Sequence, residues 1–405
     1  MTRRIIPALT LLLILAAATA WAGKVPKTIL YSPEVLAETK RRVQERDPAI
    51  MPAYRELLRQ ADLAIKTPAE TVVFKPAPPP GGTKHDYWSV APYWWPDEAS
   101  PNGLPYVRHD GETNPEAASK AYDRQRLRTT AANALTLAQA WYLTGSEEYA
   151  GKGSALIWSW CCDSVTRMTP HLRFAQMRRG DRPGKWETSP SGIIEGRELI
   201  KIAEAARLLE PSHAWSAVVT NKLTKWFEKY LHWLLTSPQG RREAGADNNH
   251  GVWYDAQVAV IALYAGKTNL ARSVVGTSAA KRLSLEVEGN GAMPRELERT
   301  RSRHYTFFTL EAFFTLAAVG DRTGIDLWRW TDGQGRSLRR AFDYAAPYLA
   351  KEEPWPFGHT GRYDPFAFTP LFHRAAMVYK EDRYRDYLKA LPEAERLRDR
   401  AQLFH

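Results

Sequence analysis

Three consecutive polar residues, Asn248, Asn249 and His250, stand directly before a long apolar stretch that begins near Gly251. Asparagine side chains commonly cap the free N–H groups at the start of a helix, so capping explains at least one of them. A helix N-terminus also attracts anions, and an amide beside an imidazole could hold a carboxylate there. The run therefore fits either a helix cap or an anion-binding site.

A second stretch, residues 291–305, ends in Tyr305 and is strongly basic. Its cationic or titratable side chains before the tyrosine are Arg295, Arg299, Arg301, Arg303 and His304. Nearby cations stabilise a phenolate and lower the tyrosine pKa from its usual value near 10. Tyr305 is therefore expected to act as a base near neutral pH. The alternative is a solvated basic loop, which is what most charged runs are.

Residues 85–97 are rich in aromatic side chains and prolines and lack helical spacing. The notable members are His85, Tyr87, Trp88, Trp94 and Trp95. These side chains belong either to the core or to a groove, and the proline-punctuated sequence favours a groove. Residues 169–176, which include His171 and Gln176, have the same features more weakly.

These stretches together resemble the alginate lyase superfamily of α/α-toroid polysaccharide lyases. The matching motifs are Asn248-Asn249-His250-Gly251 followed by an aromatic residue, the Arg- and Tyr-bearing run of residues 294–305, and the segments 170–176 and 87–97. The resemblance extends over about residues 84–348, which is most of the chain.

The resemblance implies a role for each matched residue. Asn249 and His250 would neutralise the substrate carboxylate, and Tyr305 would remove and deliver protons. Arg299 would be the arginine near that tyrosine, with Arg301 and Arg303 as alternative alignments. The other predicted substrate-binding residues are Asn248, Trp253, Arg301, Arg303, His304, Gln176, His171, His85, Tyr87, Trp88, Trp94 and Trp95.

The expected reaction is β-elimination in a 4-linked polyuronate, either mannuronate-containing alginate or glucuronan. Neutralising the carboxylate would stabilise the enolate that forms when the C5 proton leaves, as an oxyanion hole does. Tyr305, as phenolate or through His250, would take that proton, and its hydroxyl would protonate the departing C4 oxygen. No cofactor is expected, and the sequence has no metal-ligand spacing such as His-Glu-x-x-His.

Helical spacing of apolar residues recurs along most of the chain. The predicted helices cover about 24–66 (in part), 121–143, 146–160, 193–209, 214–235, 251–265, 270–287, 306–319, 338–349 and 368–379. Because short loops join them and no strand-helix alternation occurs, the fold class is predicted to be all-α. The architecture is an α/α toroid or incomplete barrel of antiparallel helix hairpins. Residues 76–115 and 169–191 are predicted to be long loops that form a cleft.

The chain begins with a short basic stretch, an apolar run over residues 5–18 and a small-residue pattern at 20–22. This order predicts a signal peptide over 1–22 and one exported domain over 23–405, in the periplasm or outside the cell. The apolar run is short for a membrane span, although an uncleaved anchor is the alternative. No membrane span is expected in the mature protein.

The formal net charge is +11, and a basic surface attracts polyanions in general. Export argues against nucleic acid, and the 15 Trp and 18 Tyr suit sugar rings, although many of them belong in a core. The predicted partner is therefore an acidic polysaccharide. Cys161 and Cys162 are adjacent, so we expect two buried thiols, since a disulfide between neighbours would be strained.

Two other functions fit parts of this pattern. A glycoside hydrolase needs two carboxylates across the scissile bond, for which Asp86, Asp97 and Asp247 are candidates. A non-catalytic polysaccharide-binding protein would keep the aromatic residues and the basic charge but would not need the cluster around Tyr305.

Overall fold

The computed structural model describes residues 26–350 and 354–405. The predicted signal peptide therefore lies outside the described residues. The α-helices of the described part are α1 (Pro33–Gln44), α2 (Met51–Lys66), α3 (Arg124–Thr144), α4 (Glu147–Ile157), α5 (Glu198–Leu209), α6 (Ala217–Thr236), α7 (Pro238–Ala244), α8 (Asn249–Tyr264), α9 (Thr268–Ser278), α10 (Ser284–Glu286), α11 (Pro294–Leu297), α12 (Ser302–Thr323), α13 (Leu338–Ala345), α14 (Thr369–Tyr379), α15 (Arg383–Asp386) and α16 (Glu393–Arg398).

The helices form two concentric layers. Helices α3, α5, α8 and α12 contact one another in that order, and α2, α4, α6 and α9 pack against their outer side. Burial separates the layers: 13 of the 16 residues of α8 are buried, but only 7 of the 20 in α6. A helix that is apolar all round belongs inside, and an amphipathic one covers it. The predicted α/α toroid of antiparallel helix hairpins is confirmed.

Short connections impose the hairpins. Helix α3 ends at Gly145, whose φ of 76° is left-handed, and α4 begins two residues later. Glycine adopts this conformation without a steric penalty, so the chain reverses within a very short loop. The turn brings α4 back along the outer side of α3.

Several predicted helices are interrupted in ways that periodicity does not show. The predicted helix over 270–287 is α9, a π-helical turn at Ala279–Leu283 and the short α10. The predicted helix over 193–209 begins as a 3-10 helix at Pro190–Arg197. At the π-helical turn the chain carries Arg282, which is buried and bonds Asp255 at 2.7 Å. This ion pair ties the π-helical turn to Asp255 in α8.

The two long loops hold short strands rather than irregular chain alone. These strands are β1 (Trp88–Val90), β2 (Trp94–Trp95), β3 (Val107–Arg108), β4 (Phe174–Arg179) and β5 (Trp186–Glu187). Strand β4 pairs in parallel with β1 and antiparallel with β5, while β2 and β3 form a hairpin. The pairing joins the two loops, so they form one continuous wall.

One hydrophobic core extends from Ile29 to Phe404. Cys161 and Cys162 are free and buried in it, which confirms the prediction of two thiols. Burial raises the pKa of the Cys162 thiol to about 12, so it is neutral at physiological pH. In the described part of the chain, no helix has the length and apolar character needed to cross a membrane.

Candidate active site

A cleft of about 1500 Å³ opens between the joined loops and the helix layer. The first turns of α3, α8 and α12 and the 3-10 helix that leads into α5 all contribute lining residues. Its lining includes twelve Arg or Lys residues but only five Asp or Glu. Helix N-termini add partial positive charge. The cleft is therefore suited to a polyanion.

The Asn-His pair lies on the first turn of α8. Asn248 is the N-cap, and its side chain accepts a hydrogen bond from the His250 backbone N–H at 3.1 Å. The absence of a side chain at Gly251 lets Arg282 approach, since a Cβ there would lie 2.3 Å from the Arg282 Nη1. The turn is therefore fixed from both sides, and the run of polar residues is both a cap and part of the cleft.

His250 is oriented by a buried carboxylate. Its Nδ1 lies 2.6 Å from the Oε1 of Glu243, which is only 3% exposed. A carboxylate at Nδ1 favours the tautomer that carries a proton there and leaves Nε2 free for chemistry. His250 lines the cleft, so its imidazole is available to a bound sugar.

Asn249 is completely buried against Glu296. Its Nδ2 lies 3.0 Å from both carboxylate oxygens, and its backbone N–H donates to Oε1 at 2.8 Å. Its Oδ1 is buried without a hydrogen-bond partner among the residues that the structure describes. The side chain is held in place, with its carbonyl oxygen unsatisfied.

Tyr305 lies beneath Arg299 and beside Tyr93. The two tyrosine hydroxyls are 2.7 Å apart, and the Arg299 guanidinium carbon is 3.8 Å from the centre of the Tyr305 ring. Burial raises the pKa of Tyr305, the neighbouring Tyr93 adds to the rise, and Arg299 offsets only part of it. The expectation of a lowered pKa is therefore wrong for the free protein, in which Tyr305 is a neutral phenol.

Arg299 is held by Asp110 from the loop that follows β3. The pair is bidentate, with Nη2 to Oδ1 at 2.7 Å and Nε to Oδ2 at 3.1 Å. Burial opposes the charge on Asp110, but the bonds from Arg299 and Thr300 outweigh it and lower the pKa of Asp110 to about 2. Arg299 therefore stays ionised and fixed over the tyrosine.

The other two candidate arginines are directed elsewhere. Arg301 lines the cleft but donates to the backbone carbonyl of Arg362 at 3.0 Å. Arg303 is buried outside the cleft, where its guanidinium lies 4.1 Å from the Tyr363 ring centre. Of the three arginines, the geometry therefore selects Arg299 as the partner of Tyr305.

Comparison with known proteins agrees with this geometry. A family model described as alginate lyase matches residues 71–355. The chain belongs to the alginate lyase family. A crystal structure of an alginate lyase from Bacteroides ovatus superposes with a TM-score of 0.87 at 33% identity, covering 94% of this chain and 99% of that one. The protein is accordingly a polysaccharide lyase.

A more distant similarity concerns the fold alone. Alginate lyase A1-III in complex with a tetrasaccharide superposes with a TM-score of 0.51 at 16% identity, covering 84% of this chain and 90% of that one. An apo form of alginate lyase A1-III superposes with a TM-score of 0.51 at 14% identity, covering 88% of this chain and 95% of that one. A search of curated protein sequences gave no match.

Most of the predicted site residues of this lyase meet in the cleft. Those that line it are Asn248, Asn249, His250, Trp253, Arg299, Arg301, His304, Tyr305, Gln176 and Trp94. His304 stacks on Phe308, with ring centres 5.7 Å apart, and burial lowers its pKa to about 4. His304 is therefore a neutral wall residue at physiological pH.

Three predicted aromatic residues belong to the loop wall but do not line the cleft. Tyr87 is fully buried and donates to Glu195 at 2.7 Å. Trp88 packs edge-on against Tyr122, with ring centres 4.9 Å apart. Trp95 donates from Nε1 to a backbone carbonyl at 3.0 Å. These side chains build the loop wall and do not line the cleft.

The two predicted histidines of the loops also have structural contacts. His85 Nδ1 lies 2.8 Å from the backbone carbonyl of Arg167. His171 lies 3.2 Å from Asp86, with which it ties the two loops together. Neither lines the cleft, so the structure does not bring them to the site around Tyr305.

A buried carboxylate, Glu195, supports the cleft from below. It accepts hydrogen bonds from Tyr87, from Ser89 at 2.6 Å and from Gln176 at 3.3 Å. Gln176 has a φ of 48°, a left-handed conformation that is unusual for a residue with a side chain. The contacts to Glu195 and Ser89 hold this strained residue at the cleft surface.

Four residues of the site were missed by sequence reasoning: Tyr93, Asp110, Glu243 and Glu296. Tyr93 lay within the aromatic segment but had no feature that separated it from its neighbours. The three carboxylates are separated in sequence from the residues that they hold. Glu296 lies 47 positions from Asn249, and Glu243 lies 7 positions from His250. Asp110 lies 189 positions from Arg299. Such pairings arise only in the folded chain.

Among residues 26–350 and 354–405, no group of three or more His, Cys, Asp or Glu side chains is placed to hold a metal ion. The hydrolase alternative needs paired carboxylates at the scissile bond. Asp86, Asp97 and Asp247 do not line the cleft, and membership of the lyase family rejects both hydrolysis and mere binding.

Proposed function

We propose that this lyase cleaves a 4-linked polyuronate by β-elimination, with mannuronate-containing alginate as the first candidate and glucuronan as the second. The observation that carries the proposal is the Tyr305 hydroxyl, 2.7 Å from Tyr93 and covered by Arg299, on the wall of a basic cleft. An acid-base group beside fixed cations is what elimination next to a carboxylate requires.

The cleft wall also offers surfaces for uronate rings. The Arg178 guanidinium carbon lies 4.5 Å from the Trp94 ring centre, and that of Arg197 lies 4.9 Å from the Phe308 ring centre. An aromatic face with a cation upon it can stack on a sugar and pair with its carboxylate. The Trp94–Arg178 pair is proposed to bind one sugar of the polymer. Phe308 is buried and already stacked on His304, so Arg197 is proposed to pair with a neighbouring uronate carboxylate through its charge alone.

The proton transfers follow from the state of Tyr305. As a neutral phenol it can donate to the departing C4 oxygen directly. On mannuronate the C5 proton and the leaving group lie on one face, so Tyr305 could serve both steps. It would first release its hydroxyl proton to solvent, then take the C5 proton as a phenolate that accepts a hydrogen bond from Tyr93, and finally pass that proton to the C4 oxygen. On glucuronate, which shares the C4 and C5 configuration of mannuronate, the two groups also lie on one face. On guluronate, the C5 epimer of mannuronate, they lie on opposite faces, and there we assign the base to His250, whose Nδ1 is held by Glu243.

This assignment predicts a polymer-dependent effect of His250→Ala. On polymannuronate, where Tyr305 is the base, loss of the contact between His250 and the sugar should lower kcat by only about 5-fold, since one hydrogen bond contributes about 1 kcal/mol. On polyguluronate, loss of the base should lower kcat further, by up to about 10⁴-fold. Initial rates of the unmodified enzyme and of His250→Ala, measured on both polymers, give the fold loss of kcat on each. Glu243→Gln, which keeps a hydrogen-bonding group at Nδ1, is the matched control. It should lower kcat less than His250→Ala does on either polymer. Equal losses on the two polymers would place the base elsewhere.

The substrate itself is tested by incubation with polymannuronate, polyguluronate, glucuronan and hyaluronan. The measurement is the ultraviolet absorbance of the new C4=C5 double bond. Absorbance that grows with one polymer identifies the sugar. New reducing ends without that absorbance, or no product from any of the four, would reject the proposal.

We further propose export to the periplasm or the medium, on the basis of the N-terminal sequence pattern over residues 1–22. Expression with the full leader and mass spectrometry of the purified protein tests this directly. A mature chain that begins at Gly23 is expected. An intact N-terminus in a membrane fraction would favour an anchor instead.

A further inference from the structure

The contact between Asn249 and Glu296 raises a chemical problem for carboxylate binding. The Asn249 amide nitrogen faces Glu296, with 3.0 Å from Nδ2 to each carboxylate oxygen. The other end of the amide is Oδ1, which is buried and has no partner in the described part of the chain. A carbonyl oxygen repels a carboxylate. In this arrangement the amide presents Oδ1, rather than its nitrogen, on the side away from Glu296.

A half-turn of the Asn249 amide would exchange the positions of Nδ2 and Oδ1 and direct the NH2 group away from Glu296. Oδ1 would then face the Glu296 oxygens, which is repulsive while Glu296 is a carboxylate. A proton on Glu296 removes the conflict. Its O–H would donate to Oδ1, while its other oxygen would still accept the backbone N–H of Asn249, now 2.8 Å away.

The surroundings of Glu296 favour the neutral acid. Glu296 has no exposed surface, and within the described ranges no cation forms an ion pair with it at 4 Å or less. The basic side chains that face it are Arg299, which Asp110 already binds, and the imidazole of His250. Burial therefore raises the pKa of Glu296, and the bonds from Asn249 offset only part of that rise.

A second buried carboxyl group, Glu286, lies near Glu296. Both of its oxygens are buried without a hydrogen-bond partner in the residues described. Burial first, and the charge of Glu296 second, raise the pKa of Glu286 to about 9, although Arg282 and Arg295 oppose this. Asp247 adds further negative charge. Glu286 is either neutral or negative, so it does not stabilise the ionised form of Glu296.

We propose that Glu296 is a positioning residue that becomes protonated when a polyuronate carboxylate binds, so that the Asn249 amide turns and presents its NH2 group to that carboxylate. The inference rests on the proposed function, because the bound group is a uronate carboxylate. It adds to that function a proton that Glu296 takes up when the substrate binds. This proton takes no part in the bonds that break or form. Nothing is transferred from Glu296 to the sugar.

The first test compares Glu296→Gln with Glu296→Ala on the polymer that the parent cleaves. Glutamine mimics the neutral acid, since its NH2 can donate to Oδ1 while its carbonyl accepts the backbone N–H. Alanine leaves Asn249 unsupported, so kcat should fall by about 10²-fold, as for a lost charge-stabilising donor. Glu296→Gln should lose far less. If it falls to the alanine level while still folded, an ionised Glu296 is required and the proposal is wrong.

The pH profile separates positioning from a structural role. When the productive form carries a proton on Glu296, activity falls as pH rises through the pKa of that group. Glu296→Gln has no such proton to lose, so the alkaline limb of kcat/KM should move to higher pH. Glu286→Gln is the matched control and should leave that limb in place. An unchanged limb in Glu296→Gln would overturn the proposal.

A third measurement does not depend on either Glu296 variant folding. Tyr305→Phe, which keeps Glu296, is titrated with a mannuronate tetrasaccharide by calorimetry in two buffers of different ionisation enthalpy. Net proton uptake is expected at pH values above the Glu296 pKa of the free enzyme. No uptake between about pH 6 and 9, a range that covers a carboxyl with a raised pKa, would contradict the inference. Failure of the proposed function is distinct, because the unmodified lyase would then form no unsaturated product.

Discussion

Substitution of Tyr305 by phenylalanine is expected to lower kcat by about 10³- to 10⁴-fold, the usual contribution of a positioned acid-base group. The ring would keep its place under Arg299, at 3.8 Å, because that contact needs no hydroxyl. Substrate binding should therefore change little, and the loss should fall on kcat rather than KM. Initial rates of double-bond formation, together with calorimetric binding of an oligosaccharide, measure both quantities.

Tyr93→Phe is the matched control for that experiment. It removes the other hydroxyl of the 2.7 Å pair but leaves Tyr305 able to donate. We expect a loss of about 5-fold, since one neutral hydrogen bond contributes about 1 kcal/mol. If Tyr93→Phe abolishes activity and Tyr305→Phe does not, the roles of the two tyrosines are exchanged.

Substitution of Arg299 by alanine is expected to have the second-largest effect, a fall in kcat of about 10²- to 10³-fold. The change removes the cation over Tyr305 and leaves Asp110 without its bidentate partner. An unpaired carboxylate in a half-buried position costs about 2 kcal/mol, so the free energy of unfolding should fall as well. Rates and chemical denaturation of the same preparation separate the two effects.

Arg299→Lys and Asp110→Asn sharpen the interpretation. Lysine keeps the charge but cannot form the bidentate contact, so it should recover only part of the loss. In Asp110→Asn the negative charge that raises the pKa of Tyr305 is gone while Arg299 remains. The pKa of Tyr305 should therefore fall, and any activity that depends on the phenolate should appear at lower pH. Full activity in Arg299→Ala would remove the arginine from the site.

The contrast between the expected and the actual state of Tyr305 has a physical cause. Sequence places four arginines within ten residues of the tyrosine and so predicts a strong positive field. In the fold, Arg303 contacts Tyr363, Arg301 binds a backbone carbonyl, and Arg299 is paired with Asp110. Burial of the phenol then outweighs what remains of the field.

Secondary structure was predicted well where apolar spacing dominates and poorly where single buried contacts decide. The bounds of helix α8 differ from the predicted 251–265 by at most two residues, whereas helix α12 contains the predicted 306–319 and extends four residues beyond it at each end. The π-helical turn around Arg282 and the strand pairing of β1 with β4 have no such local pattern. Both depend on partners that are distant in the chain.

The sequence by itself predicted the all-α fold, because apolar periodicity is a local property. The resemblance in short motifs predicted Asn249, His250, Tyr305 and one of three arginines as site residues. The sequence could not distinguish wall residues such as Tyr87 from cleft residues such as Trp94, since both occur in one aromatic segment. The tertiary structure alone decided which arginine meets Tyr305 and which carboxylates hold the site. Glu243, Glu296 and Asp110 become partners only when the helix layer and the loops bring separate segments into contact, and the charge state of each follows from that burial.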